Sequence, residues 1–247
     1  MLEGRREGPY LQDESGRRYL DAYSAAGTFN LGRRKPELVE ALRQSMRETD
    51  IGNFPMISDE KSQLAQALAE FVPGPLECSL FAVMRGEAMD AACKVARGFT
   101  RRPEFLAVDG AWHGETGFAL GLSERPDRAC YGPLAPETHT LPFGDLAAAE
   151  SLITEKTAAV FIELLQAENH CRVAPPEYVR GLGDLCRARG ALLVFDETQT
   201  GFGRTGAKFL YETYGVYPDM LLLGEALGGG VFPIAVTLLT QRVNEFL

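Results

Sequence analysis

The stretch "LLVFDETQTGFGRTG", Leu192 to Gly206, runs from an apolar segment into two adjacent acids, a polar turn and three glycines. Ala191 to Phe195 are apolar throughout, the pattern of a parallel strand covered on both faces. Side chains alternate across a strand, so Asp196 and Glu197 are expected to face opposite ways. One can then enter a cleft while the other turns toward the following turn or the helix layer. A strand-end carboxylate can bind a metal, act as a base, pair with a cationic ring nitrogen, or cap the turn that follows. Spacing alone leaves these open.

Outward from this stretch, short apolar runs alternate with helical segments. "CSLFAVM" precedes the helix "GEAMDAACKVARGFT", "EFLAVDG" precedes a loop with Trp112 and His113, and "TAAVFIELL" precedes "PPEYVRGLGDLCRARG". "DMLLLGE" then follows Leu192–Gly206. Such alternation predicts an α/β fold, three-layer, with a mostly parallel sheet and right-handed crossovers. Ligands gather at the carboxyl ends of strands in these sheets. The N-terminal part differs. "GPYLQDESGRRYLDAYS" reads as a β-hairpin turning at Asp13 to Gly16, "KPELVEALRQSMRE" as an amphipathic helix, and "SDEKSQLAQALAEFVPG" as a helix opened by Ser58.

Composition narrows the function classes. A chain of 247 residues, 45% of them hydrophobic, can bury a sizeable core. The net charge of −9 argues against an electrostatic nucleic-acid footprint, and no apolar run approaches the roughly 20 residues of a membrane span. The charged start "MLEGRREGPY" lacks the apolar stretch of a signal peptide, so a cytoplasmic location is expected. Five cysteines and three histidines fall without metal-ligand spacing, so no metal site and free thiols are expected.

Two further strand ends carry chemistry. "DGAWHGET" offers Trp112, the only tryptophan, as a stacking platform or as ordinary packing, and His113 as an acid–base group or a structural donor. "MRGEAMDAACK" sets Gly86 at a helix N-terminus, a ready anion site, with Arg85 adding charge suited to phosphate or carboxylate.

Taken in order, these segments resemble the class III pyridoxal-phosphate-dependent aminotransferases, the ornithine, acetylornithine, 4-aminobutyrate and putrescine group. The resemblance covers nearly the whole chain. It is most specific in "LCRARGALLVFDETQTGFGRTGAKF" and "YGVYPDMLLLGEALGGGVFPI". It implies the large domain of a fold-type I enzyme over residues 51–247, with residues 1–50 a hairpin-and-helix remnant of the small domain. The C-terminal small domain is expected to be absent. The resemblance also implies a homodimer, because the family builds its site at the subunit interface. By the same resemblance Asp196 pairs with the pyridinium nitrogen, Trp112 stacks on the ring with His113 beside it, Gln199 lies near the ring hydroxyl, and Glu163 lies in the substrate half.

The departures shape the functional expectation. Glu225 stands where the family has its Schiff-base lysine, Met84-Arg85-Gly86 replaces the phosphate loop, and Thr198 replaces a valine that packs on the ring. A carboxylate forms no imine. Neighbouring carboxylates and burial would raise the Glu225 pKa and poise it for proton transfer. The expectation is therefore cofactor-independent acid–base chemistry on a small, anionic carbonyl compound, of lyase, aldolase, dehydratase or cyclase type. Glu225 would be acid or base, Asp196 and His113 would orient it, and Arg85 would hold the anionic part. The alternatives are an inactive pseudo-aminotransferase with a structural or partner-binding role, and noncovalent binding of pyridoxal or pyridoxamine phosphate.

Overall fold

The computed structural model describes residues 3–49 and 57–247. The boundary expected between residues 50 and 51 lies outside the described residues. Strands β1 (Glu3–Glu7), β2 (Tyr10–Asp13) and β3 (Arg18–Leu20) form an antiparallel sheet at the start of the chain. The expected hairpin is β2–β3. Its turn is tied by the Asp13 carboxylate, which accepts from the Ser15 and Arg17 amides at 2.9 and 3.0 Å. Helices α1 (Pro36–Glu48) and α2 (Asp59–Phe71) follow; Ser58 caps the second by accepting from the Lys61 amide.

The alternating part comprises β4 (Leu76–Ala82), α3 (Arg85–Thr100), β5 (Glu104–Val108), α4 (Gly117–Leu122), β6 (Thr138–Leu141), α5 (Leu146–Leu152) and β7 (Thr157–Ile162). A small ribbon of β8 (Leu165–Gln166) and β9 (Arg172–Val173) leads to α6 (Pro176–Arg189), β10 (Leu192–Asp196) and β11 (Met220–Leu223). β12 (Ala235–Thr240) and α7 (Gln241–Asn244) end it. Among the described residues these strands make a seven-stranded sheet in the order β4-β12-β11-β10-β7-β5-β6. β12 alone runs against its neighbours β11 and β4. The sequence reading did not include this strand, whose apolar run follows a glycine turn rather than a helix. That turn needs glycine at 228, where a Cβ would lie 1.7 Å from the Phe232 carbonyl oxygen.

Period-two alternation produces the three layers. Leu192, Val194, Met220 and Leu222 pack with Ala92, Ala96, Ala119 and Val243 from α3, α4 and α7. Leu193, Phe195, Leu221 and Leu223 pack with Leu68, Ala149, Val179 and Leu182 from α2, α5 and α6. Each such fully buried large side chain contributes about 1.5–3 kcal/mol. β10 is parallel to β7 and β11, β5 is parallel to β7, and two reversals through β12 bring β4 into the same direction. β6 is parallel to β5 as well, so six of the seven strands deliver their carboxyl ends to one edge. Among the described residues no helix is long and apolar enough to cross a membrane.

Candidate active site

The two acids that end β10 part as strand geometry requires. Glu197 turns into the α2/α5/α6 layer, where its oxygens accept from the Leu210 and Tyr211 amides at 2.7 Å each and from the Thr200 hydroxyl at 3.2 Å. It closes the polypeptide after the glycine-rich turn and takes no part in the cleft. Asp196 turns the other way, to the buried carboxyl edge. Its Oδ2 meets His113 Nδ1 at 2.9 Å, and its Oδ1 accepts from the Thr198 hydroxyl at 2.6 Å and amide at 3.1 Å. The next residue in the cleft, Glu163, follows β7 and accepts from the Trp112 amide at 2.8 Å.

Arg85, the first residue of α3, reaches into the centre of this group and is only 6% exposed. Its guanidinium carbon lies 4.5 Å from the centre of the Trp112 ring. Nη1 donates to the Trp112 carbonyl at 3.0 Å, and Nε donates to the Thr198 hydroxyl. Nη2 stands 3.6 Å from both Glu163 Oε1 and Asp196 Oδ1 without a hydrogen-bond partner. Arg85, expected to hold an anionic part of a substrate, is thus engaged by the protein's own carboxylates.

This cation divides the protons among its neighbours. Burial works to raise Asp196, but the Arg85 charge and the His113 hydrogen bond outweigh it and hold the carboxyl well below the usual range. Glu163 is pushed up to about 7, because burial there exceeds the pull of Arg85 and the Asp196 charge adds to it. Near neutrality an ionised Asp196 and a Glu163 partway through its titration therefore face one guanidinium.

Glu225 stands apart from that group. It lies two residues past β11 in a positive-φ conformation of 29°, uncommon outside glycine. Its Oε2 accepts from the Thr28 hydroxyl at 3.3 Å. Burial raises its carboxyl above the ordinary value against the opposing Arg85 charge and the Thr28 hydrogen bond. The expectation that Asp196 and His113 orient it is replaced by this contact with Thr28. The pairing spans 197 positions of sequence and left no local signal; the chain after β3 simply passes over the β11 end.

Two cavities flank the stacked Arg85–Trp112 pair. One of about 370 Å³ is lined by Thr28, Met84, Arg85, Glu225 and Phe232. The other, about 850 Å³, is lined by Trp112, Arg125, Glu168 and Arg172 among others. Gln199 is buried at the edge of the same group; its amide donates to Glu168 at 3.3 Å and its Oε1 has no partner. Glu168 escaped the sequence reading because nothing local distinguishes it from a surface acid. Gly86 is a close-packing residue: a Cβ there would meet the Thr116 hydroxyl at 2.5 Å, so its side faces protein rather than an open anion cradle.

All five cysteines are unpaired. Glu104, Glu137 and His139 bring three potential ligand atoms within 4.8 Å of one another. Sequence spacing concealed this proximity, which arises from the pairing of β5 with β6 at the opposite edge from the site.

Comparison with known proteins places the chain in a family. An uncharacterized aminotransferase from Archaeoglobus fulgidus is 40% identical over 247 residues, covering all of this chain and 58% of its own length. A putrescine aminotransferase from Pectobacterium atrosepticum is 37% identical over 257 residues, covering all of this chain and 55% of its own. The crystal structure of the ornithine aminotransferase from Toxoplasma gondii superposes with a TM-score of 0.93 at 26% identity, over all of this chain and 60% of that one. It is described with partial occupancy of pyridoxal phosphate at its active site. The chain thus spans less than two thirds of the relatives it matches. These relatives overturn the expectation of no cofactor: they are aminotransferases rather than lyases, and they point to pyridoxal phosphate. The aminotransferase class-III family model matches residues 2–247, and the chain belongs to that family.

Proposed function

We propose that this chain forms the large-domain part of an aminotransferase-type site that holds pyridoxal or pyridoxamine phosphate without a covalent link to residue 225. The observation that carries this reading is the buried, ionised Asp196, fixed by His113 and Thr198 beside the Trp112 ring. That donor set suits a flat, positively charged heteroaromatic ring. The partnerless Gln199 Oε1 supplies a buried acceptor for a ring hydroxyl. The set therefore fits the group once the Arg85 side chain has left it. When bound, the cofactor would supply the electron sink for amino-group chemistry on a small-molecule substrate.

The chain's own residues then have separable tasks. Asp196 holds negative charge opposite the ring nitrogen, and His113 keeps its carboxylate oriented. Trp112 provides the stacking face, and Glu163 braces the Trp112 backbone. Glu225 carries no amine, so it forms no imine; with its raised proton affinity it holds or releases a proton at the wall of the smaller cavity. Exposed Val83, Met84 and Phe232 beside that cavity support a homodimer that covers it.

Titration with pyridoxal phosphate and pyridoxamine phosphate, followed by Trp112 emission, tests the reading. Saturable quenching that dialysis reverses is expected, with no borohydride-trapped adduct on the peptide containing residue 225. Glu225→Lys should gain that adduct. The reading fails if neither form changes the emission up to about millimolar concentration, the weak end of specific binding.

A further inference from the structure

The space between Trp112 and Thr198 is already filled. A planar, delocalised cation lies over the indole, hydrogen-bonds the Thr198 hydroxyl, and faces the Asp196 carboxylate. These are the contacts a pyridinium ring would seek, and here the guanidinium of Arg85 makes them. Two flat groups cannot share one face of one indole and one carboxylate.

We propose that this space is a receptor for flat cations whose resident occupant is Arg85, so that Arg85 is an internal plug which must swing out before a cofactor ring enters. The proposal rests on the cofactor reading above and adds a gate to it. Two features make the plug removable. Its Nη2 is buried without a hydrogen-bond partner, an arrangement that costs free energy and is relieved by leaving. The cavity of about 370 Å³ that Arg85 shares with Glu225 gives the side chain room and a counter-charge. Arg85 is the first residue of α3, and the preceding Val83 and Met84 are exposed, so the swing disturbs no packed element on that side. Because Arg85 lines the smaller cavity and Trp112 the larger, its departure would join the two around the site. The exchange replaces one ion pair (with Asp196) by another (with Glu225).

Trp112 is the sole tryptophan of these 247 residues, so its emission reads the slot directly. Arg85→Ala opens the slot. Methylguanidinium should then give a saturable emission change and a rise in melting temperature in Arg85→Ala and neither in the wild type. Pyridoxine, which lacks a phosphate, should bind Arg85→Ala about tenfold tighter if the plug is displaced about a tenth of the time in the wild type. Thr198→Val is close in shape and removes the acceptor of Arg85 Nε. It covers the case in which Arg85→Ala does not fold, with an expected gain in pyridoxine affinity of about threefold. The plug is overturned if folded Arg85→Ala ignores methylguanidinium, or if pyridoxamine phosphate and pyridoxine bind the wild type measurably and bind Arg85→Ala no more tightly. It is equally overturned if Thr198→Val weakens pyridoxine binding. If methylguanidinium binds Arg85→Ala but no pyridoxine derivative binds either protein, the plug stands and the cofactor reading falls.

Discussion

Glu197 and Glu225 both follow a fully buried parallel strand, yet their surroundings have little in common. Glu197 accepts hydrogen bonds from two backbone amides and a hydroxyl, lies in the helix layer and lines neither cavity flanking the site. Glu225 has one long hydrogen bond, a backbone conformation rare outside glycine, and a cavity beside it. A carboxylate whose oxygens are consumed by amides holds a fold together. One left with spare lone pairs on a positive-φ turn is available for chemistry. Chain position and residue type do not separate the two; their partners do.

The sharpest way to break that contrast is Glu197→Ala. It strands the Leu210 and Tyr211 amides in a dry layer, and urea unfolding should lose about 2–4 kcal/mol. Trp112 emission in the folded protein should stay unchanged. The Glu225 side depends on backbone shape instead, so Gly228→Ala should cost more than about 1 kcal/mol, because the added Cβ meets the Phe232 carbonyl.

Titration sharpens the comparison further. The folded-state pKa of Glu163 is raised from 4.5 to about 7, so the folded chain binds a proton that the unfolded chain has lost. Its contribution to stability is therefore full below about 4.5 and falls as pH rises through about 7. Glu163→Gln should flatten that part of the stability profile in thermal melts between these limits. The smallest stability effect belongs to Glu225→Gln, within about 0.5 kcal/mol, since the single Thr28 bond survives in the amide. A loss as large as that of Glu197→Ala would erase the distinction between the two glutamates.

Much of this was legible in the residues. The unbroken apolar run of β10 announced a strand buried on both sides, and period-two alternation by itself separates Asp196 from Glu197. Strand–helix alternation placed Trp112, Glu163, Asp196 and Glu225 at one edge, because parallel strands share their carboxyl ends. β12 was not legible: its antiparallel return depends on a glycine turn whose direction local composition does not encode.

By itself the sequence determined the layers, the edge that gathers the polar residues, and the absence of an amine at residue 225. Only the tertiary structure decided where the side chains at that edge point. Arg85 could have faced solvent or an anion from its place at the helix start. It turns inward because Asp196 and Trp112, 111 and 27 positions away, offer a charge and an aromatic face that water cannot match in a buried space. Thr28 finds Glu225 for the same kind of reason: long-range packing brings their chain segments together, and no local pattern records it.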